Sequence, residues 1–318
     1  MRMMNSTQFS YFRLAAYFDV GLFRYVCFMV VLALYAVIVA ANVLLIVVIC
    51  VNRSLHEPMY MFLCSLFVNE LYGSVSVFPL ILVQILSDVH TVSTFFSYIQ
   101  IYVLHCYGTV EYVNLAVMSY DRYLAICYPL QYSTRMSSKK IAALIALTWV
   151  YGVLICAVMI SLSSSLQLCG NIIYKVYCDN YSVVKLACSD TSIINMYGLF
   201  ISFTTLGCPL VFIFFTYMKI LAVCFSGSKR MRQKAVSTCT PHLASVLNFS
   251  FGASFELIQS RFNMSSLPIM LRIFASLYWL TAQPLFNPLY VLTPCVVSKC
   301  HLINIGPLIS FHGSYIEL

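Results

Sequence analysis

Seven mostly apolar stretches, separated by short polar connections, run along the chain. An α-helix needs about 20 apolar residues to cross the hydrocarbon core of a bilayer, so this pattern predicts seven transmembrane helices. The predicted spans are residues 26–51, 58–86, 97–126, 141–162, 193–218, 235–258 and 268–292. We therefore expect one all-α, seven-helix domain over residues 26–292, with a short segment 1–25 before it and a tail 293–318 after it.

The composition is typical of a chain whose solvent is the bilayer. The mean hydropathy is +0.89, and 61% of the residues are hydrophobic while only 9% are charged. A soluble domain has about a quarter of its residues charged, so a soluble fold of this chain could not cover its surface. The net charge of +8 does not indicate a nucleic-acid partner, because basic residues in so apolar a chain mark cytoplasmic loops.

The distribution of basic residues predicts the orientation of the helices. Of the 18 Lys and Arg residues, eleven fall on the side of the C-terminus and seven on the side of the N-terminus. Positive charge concentrates on the cytoplasmic side, so we expect the N-terminus outside and the C-terminus in the cytoplasm. Asn5 begins a glycosylation sequon on the expected outer side. Segment 1–25 contains four charged residues and no clean apolar core, so we expect no cleavable signal peptide.

Several kinds of chemistry are not indicated by the sequence. The 14 cysteines form no CxxC pair and no Cys/His zinc pattern, so no metal site is predicted. Most of them are expected to pack as small apolar thiols. Neither a nucleophile–base set nor a phosphate-binding loop is evident, and we expect neither an enzyme nor a resident cofactor.

Two carboxylates, Glu70 and Glu111, lie deep inside the second and third spans. Counted from the cytoplasmic ends of their helices, both are on the order of 17 Å deep, so they can share one layer. Intramembrane carboxylates usually face the bundle interior and serve a function. We interpret this layer as a switch that binds water or a sodium ion, with Asn42 and Asn287 as polar neighbours. The alternative is a pair of neutral packing residues.

The triplet Asp121-Arg122-Tyr123 ends the third span. An arginine there can pair with the neighbouring aspartate in a resting state and meet a partner protein once released. The alternative is an interface arginine that extends to lipid headgroups.

This triplet lies in a run, residues 118–132, that closely resembles the signature of odorant receptors, a branch of the rhodopsin-like G-protein-coupled receptors. Residues 58–63, 234–243 and 284–288 resemble the family's motifs in spans two, six and seven. The resemblance covers about residues 15–292. Residues 55–58 and 69–73 look like the fish branch of the family.

The resemblance implies a multi-pass plasma-membrane receptor that binds a small odorant and activates a heterotrimeric G protein of the olfactory stimulatory type, raising cyclic AMP. Arg122 would engage the G protein, and Tyr217 and Tyr290 would assist the rearrangement. Asn287 and Pro288 belong to the span-seven motif. Glu70 stands where most of the family has aspartate, whereas Glu111 matches the family's acidic residue.

The resemblance also implies a disulfide between Cys169 and Cys188 within the long loop. The family's middle loop cysteine bridges to a cysteine at the top of span three. That position is Ser97 here, so Cys178 has no evident partner.

A ligand pocket is expected in the outer half of the bundle. Leu104, Gly108 and Glu111 recur on one face of span three, and His105 and Thr109 flank that face. The family implies further contacts from spans five and six, namely Ser202, Thr205, Phe251, Phe255 and Arg261. His105 is equally interpretable as a structural histidine. Arg261 is either an interface anchor or, if it faces the cavity, a site for an anionic ligand group.

Two departures from the family pattern stand near the C-terminus. Only Leu289 separates Pro288 from Tyr290, where the family has two residues, and losing one residue turns Tyr290 by about 100°. After it, the family usually has a short basic amphipathic helix, and Thr293-Pro294-Cys295 departs from that pattern. A degenerate receptor copy, a non-olfactory receptor of the same class and a seven-helix transporter or channel therefore remain alternatives.

Overall fold

Seven long helices and one small sheet account for most of the residues that the structure describes. The computed structural model describes residues 9–17, 21–227, 229–261 and 269–298. The long helices are α1 (Phe23–Val51), α2 (Pro58–Leu86), α3 (Thr94–Cys127), α4 (Ser138–Ser164), α5 (Ser192–Ser226), α6 (Lys229–Arg261) and α7 (Ile269–Ser298). Short helical turns lie at Arg53–Leu55, Pro129–Gln131, Tyr132–Arg135 and Asn180–Val184.

Each predicted span corresponds to one of these helices, and the bounds of α2 are those predicted. Helix α5 runs past its predicted end to Ser226, and α7 runs past its predicted end through Pro294 to Ser298. Thr293-Pro294-Cys295 thus lies within the last turns of α7. Proline removes one backbone donor from a helix, and transmembrane helices tolerate this loss where neighbouring groups satisfy the freed carbonyl.

Helix α1 buries one stripe and turns the rest of its surface outward. On α1, the buried residues are Ile38, Asn42, Leu45 and Ile49, at helical spacing. The intervening valines and leucines are exposed, as expected of a helix that meets lipid on its outer side. Four helices, α1, α2, α4 and α5, are apolar enough over 18 residues to qualify as membrane spans by composition alone.

The third helix occupies the centre of the bundle and packs against α2, α4, α5 and α6. Its buried side chains include polar groups such as Gln100, Glu111 and Asn114. Helix α5 contains one π-helical turn, Phe203–Gly207. Such a turn inserts an extra residue into a helix and is frequent at functional sites.

A three-stranded sheet covers one end of the bundle, which we call the sheet end. Its strands are β1 (Tyr11–Leu14), β2 (Thr91–Ser93) and β3 (Ile172–Ile173), in the order β2-β1-β3. Strand β1 is antiparallel to β2 and parallel to β3. Phe12 and Leu14 point into the protein and are buried, because side chains alternate along a strand. The opposite end of the bundle, which carries Arg122, is called the Arg122 end.

Candidate functional site

A cavity of about 200 Å³ lies beneath the sheet end. It is enclosed by α3, α5, α6, α7 and the loop between α4 and α5, with Met159 contributed by α4. Its lining comprises Leu104, His105, Gly108, Thr109, Tyr112, Met159, Tyr177, Asp179, Asn180, Tyr181, Val184, Ile194, Asn195, Gly198, Ile201, Ser202, Thr205, Leu206, Phe249, Ala253, Glu256, Leu257, Arg261 and Trp279. The site is mainly apolar and aromatic with a few polar groups, as small-molecule sites usually are.

Seven of the nine side chains expected in the pocket line this cavity, and they are Leu104, His105, Gly108, Thr109, Ser202, Thr205 and Arg261. The expectation for Phe251 and Phe255 was wrong. Phe251 is 67% exposed and packs edge-on against Tyr278 outside the cavity. The inward face of α6 instead carries Phe249, Ala253 and Glu256, because residues four and three apart share a helix face.

His105 has one ring nitrogen committed to its own helix. Its Nδ1 lies 2.9 Å from the carbonyl oxygen of Ile101. A carbonyl oxygen only accepts, so Nδ1 carries the hydrogen in the neutral ring and Nε2 is left as an acceptor. His105 therefore has a structural role, yet it also lines the cavity.

The floor of the cavity is aromatic. The rings of Tyr112 and Phe249 lie 4.7 Å apart, and those of Phe249 and Trp279 lie 6.3 Å apart. Gly252 lets α7 approach α6 at this level, since an added Cβ would lie 2.6 Å from the Cβ of Trp279. Helices α3, α6 and α7 consequently meet through these rings.

A charged cluster joins the loop to α6 beside the cavity. Lys175 Nζ lies 2.8 Å from Asp179 Oδ2 and also pairs with Glu256 Oε1. Tyr177 donates a hydrogen bond to the same Glu256 oxygen at 2.8 Å, and Trp279 Nε1 donates to the Tyr177 hydroxyl at 3.1 Å. The cluster thus connects the loop, α6 and α7.

The pKa values of the two loop groups in this cluster reflect that pairing. Burial alone would raise the pKa of Asp179, but the charge of Lys175 and hydrogen bonds from Lys175 and Ser182 lower it below its usual value. Burial alone would lower the pKa of Lys175, but Asp179 and Glu256 raise it. Both groups are therefore charged at neutral pH.

Sequence reasoning missed Glu256, because only Glu70 and Glu111 were counted as carboxylates inside spans. The signal was present, since Glu256 falls within the sixth predicted span, residues 235–258. Its partner, Lys175, is 81 residues away in a loop, and no periodicity in the sequence relates the two.

Glu70 and Glu111 meet in one buried layer below the aromatic floor. Asn287 Nδ2 donates to Glu70 Oε1 at 2.6 Å and lies 3.3 Å from Glu111 Oε1. Asn69 Nδ2 donates to Glu111 Oε2 at 2.9 Å, and Ser245 Oγ donates to Asn287 Oδ1 at 2.7 Å. The layer links α2, α3, α6 and α7, and Asn69 and Ser245 are members that the sequence analysis did not identify.

Asn42 reaches α7 next to this layer. Its Nδ2 donates to the carbonyl oxygen of Pro284 at 3.0 Å. In a regular helix the N–H of residue 288 would bond that carbonyl, but Pro288 has none. Asn42 therefore satisfies the backbone acceptor that Pro288 leaves free.

At the Arg122 end, Asp121 accepts a hydrogen bond from the Tyr132 hydroxyl at 2.7 Å. Arg122 is 8% exposed, which excludes the alternative of a side chain extended to lipid headgroups. Tyr123 donates to the hydroxyl of Tyr128 at 3.4 Å. The side chain of Tyr290, like the whole of Asn5 and the tail from residue 299, lies outside the described residues.

Tyr217 also lies near the Arg122 end, where His242 joins three helices. The Tyr217 hydroxyl on α5 lies 2.8 Å from His242 Nδ1 on α6, and His242 Nε2 lies 3.0 Å from the carbonyl of Leu115 on α3. The carbonyl requires a hydrogen on Nε2, so Nδ1 accepts from Tyr217.

The loop contains the predicted Cys169–Cys188 disulfide. Cys178 is buried, and its Sγ donates to Ser97 Oγ at 3.3 Å. Its backbone N–H donates to Gln100 Oε1 at 2.9 Å. Cys178 thus lies against the top of α3 with a hydroxyl as its partner.

Comparisons with known proteins agree with this arrangement. A family profile described as "Olfactory receptor" matches residues 31–299. Human olfactory receptor 11A1 is 35% identical over 280 residues, 87% of each chain. Mouse olfactory receptor 6E1 is 34% identical over 261 residues, 81% of this chain and 83% of its own. Squid rhodopsin superposes with a TM-score of 0.69 over 91% of this chain and 89% of its own, at 16% identity, which supports the seven-helix fold alone.

Proposed function

We propose, given that this chain belongs to the olfactory receptor family of G-protein-coupled receptors, that it binds a small odorant in the cavity and activates a heterotrimeric G protein. It is a multi-pass plasma-membrane receptor rather than an enzyme. The finer proposal is that the G protein is of the olfactory stimulatory type, so that odorant binding raises cyclic AMP.

The orientation proposed with this function puts the sheet end outside the cell and the Arg122 end in the cytoplasm. The excess of basic residues on the Arg122 side supports it. The Cys169–Cys188 disulfide supports it as well, because disulfides persist in oxidising compartments outside the cytosol.

The observation that carries the proposal is that one helix, α6, lines the cavity and also joins the contacts beside Arg122. Its Phe249 and Glu256 line the cavity, Ser245 belongs to the carboxylate layer, and His242 contacts α3 and α5. A ligand that shifts α6 therefore changes contacts at the Arg122 end. Coupling between two distant sites requires a structural element whose conformation both sites influence, and α6 is such an element for the cavity and the Arg122 end.

The carboxylate layer supports a further part of the proposal, a bound sodium ion or water near Glu70 and Glu111. Two carboxylates and two amides converge there from α2, α3 and α7. Oxygen ligands of this kind suit a hard cation. A cation would balance negative charge that is otherwise costly to bury.

Two narrower interpretations depend on features that lie apart from the cavity. The likeness of residues 55–58 and 69–73 to the fish branch stays a prediction, and the relatives described above are human and mouse proteins. The degenerate-copy alternative rests on Ser97, the short span-seven motif and the tail.

The test is a cyclic-AMP assay in cells that express this chain and an olfactory stimulatory G protein, with surface labelling in parallel. Pooled water-soluble odorants are applied, and Arg122→Ala is the control. A response that Arg122→Ala abolishes supports the proposal. Silence of a well-labelled receptor across broad odorant pools would contradict it, and silence without surface label would favour a degenerate copy.

A further inference from the structure

The charged cluster of Lys175, Asp179 and Glu256 contains two carboxylates and one ammonium. Asp179 and Glu256 line the cavity, and the ammonium paired with both of them belongs to Lys175, which is not part of the lining. Two carboxylates that share one ammonium leave one negative charge without a counter-charge within the cluster. Such a charge is costly in a site largely shielded from water.

The oxygens of these carboxylates differ in the number of hydrogen bonds that they accept. Asp179 accepts from Lys175 and from the Ser182 backbone and hydroxyl. Glu256 Oε1 accepts from Lys175 and Tyr177. Glu256 Oε2 is buried and accepts no hydrogen bond from any residue that the structure describes. The unused acceptor capacity therefore belongs to Glu256.

The rest of the cavity also favours a cation. Its floor presents the rings of Tyr112, Phe249 and Trp279, and aromatic faces attract ammonium groups. Arg261, a cationic residue of the lining, lies over the Tyr181 ring at 4.4 Å. It is five residues beyond Glu256 on α6, about 7.5 Å further along the helix axis. His105 contributes an acceptor nitrogen rather than a charge.

We infer that this receptor selects ligands that carry a protonated amine, which Glu256 binds as the specificity-determining residue of the cavity. The inference rests on the proposed function and adds the ligand class to it. The ligand ammonium donates to the carboxylate of Glu256, which lines the cavity, and supplies the counter-charge that the cluster lacks. The acidic group comes from α6 rather than α3, whose outer half, Leu104 to Gly108, contains no carboxylate.

Direct binding to the full-length receptor in lipid nanodiscs tests this inference. The probes are pentylamine, pentanol and pentanoic acid, which have the same chain length and differ in the end group. Hydrogen bonds between two charged groups are stronger than those to a neutral group, so we expect pentylamine to bind at least about tenfold more tightly than pentanol. Equal binding of the two, or no binding of pentylamine, would overturn the inference.

Three variants assign the effect to Glu256. Glu256→Gln keeps the shape and removes the charge, so the preference for pentylamine over pentanol should vanish. Asp190→Asn makes the same chemical change at an exposed loop site outside the cavity and should keep the preference. Lys175→Gln removes the internal competitor for Glu256 and should tighten pentylamine binding, a gain that misfolding cannot imitate. A preserved preference in Glu256→Gln, or no gain in Lys175→Gln, would contradict the assignment.

Binding and signalling separate this inference from the proposed function. A receptor that binds pentylamine through Glu256 and raises no cyclic AMP in response to any odorant keeps the inference and overturns the proposed function. A receptor that signals in response to neutral odorants and binds no amine keeps the proposed function and overturns the inference.

Discussion

Tyr217 donates a hydrogen bond to Nδ1 of His242 at 2.8 Å and thereby ties α5 to α6. The other nitrogen of His242 donates to the Leu115 carbonyl of α3. One neutral imidazole thus connects three helices next to Arg122, and any displacement of α6 at this level must break or rearrange it.

Tyr217→Phe should raise cyclic AMP in the absence of odorant. The variant leaves Nδ1 of His242 without its donor, and one hydrogen bond contributes about 1 kcal/mol, so we expect a change of roughly fivefold in the balance between conformations. Basal cyclic AMP, normalised to surface label, is the measurement. Tyr174→Phe, at a tyrosine that is 69% exposed in the loop, is the matched control. Unaltered basal signalling in Tyr217→Phe would show that this bond does not hold α6.

The double variant Glu70→Gln and Glu111→Gln should remove the sensitivity of signalling to sodium. Both carboxylates contact Asn287 in the buried layer, and neutral amides supply no negative charge to balance a bound cation. Odorant dose–response curves in sodium buffer and in potassium buffer give the readout. Glu57→Gln, an exposed carboxylate preceding α2, controls for the loss of a glutamate. Sodium sensitivity that persists in the double variant would rule out this layer as the ion site.

Ser97→Cys should form a new disulfide with Cys178. The two side chains are already in contact, with Sγ 3.3 Å from Oγ. A disulfide typically stabilises a protein by about 2–4 kcal/mol, so surface expression and the thermal unfolding temperature should rise. Mass spectrometry of peptides from unreduced protein detects the bond, and Ser97→Ala is the control. Burial raises the pKa of the Cys178 thiol to about 12, so Cys178 of the unaltered chain should resist alkylation at neutral pH. Free thiols at both positions in Ser97→Cys would refute the prediction.

Beside the preferred amines, ligands with a carboxylate or sulfate group can reach Arg261, and Arg261→Ala should weaken the responses to them. Arg261 lines the cavity with its guanidinium over Tyr181, and guanidinium groups bind such anions through charge-assisted hydrogen bonds. We expect a loss of about tenfold in potency for pentanoic acid and little change for pentanol. Arg13→Ala, on an exposed position of β1, is the control. Equal potency of pentanoic acid in both variants would leave Arg261 as an interface anchor.

The loop that contains Lys175 and Asp179 should lose stability in acid. The folded-state pKa of Asp179 is below its ordinary value of 3.8, so its stabilising contribution is present above that value and is lost as pH falls through the folded pKa. The pKa of Lys175 is raised above 10.5, so its contribution is present below that value and is lost as pH rises through the raised pKa. Thermal unfolding measured from pH 7 downwards should show a decline below about pH 4. Asp179→Asn should flatten that decline. If the variant showed the same dependence of the unfolding temperature on pH, Asp179 would not be the group responsible.

The local sequence was sufficient to place the seven helices and the depth of Glu70 and Glu111. A membrane span depends on a continuous run of apolar residues, and depth follows from counting residues along a helix of constant rise. For the same reason the inward face of α3 could be recognised, since Leu104, Gly108 and Glu111 repeat with the helical period.

The faces of α6 and the contacts of the loop depended on tertiary packing. The helical period relates residues to one another but does not say which face of α6 turns inward. The sequence therefore led us to expect Phe251 and Phe255 in the cavity, and Phe249 and Glu256 line it instead. Lys175 meets Glu256, and Tyr217 meets His242, only because separate segments pack side by side. Such pairs arise from burial and from the need to satisfy polar groups away from water, and these conditions exist only once the helices and the loop have assembled.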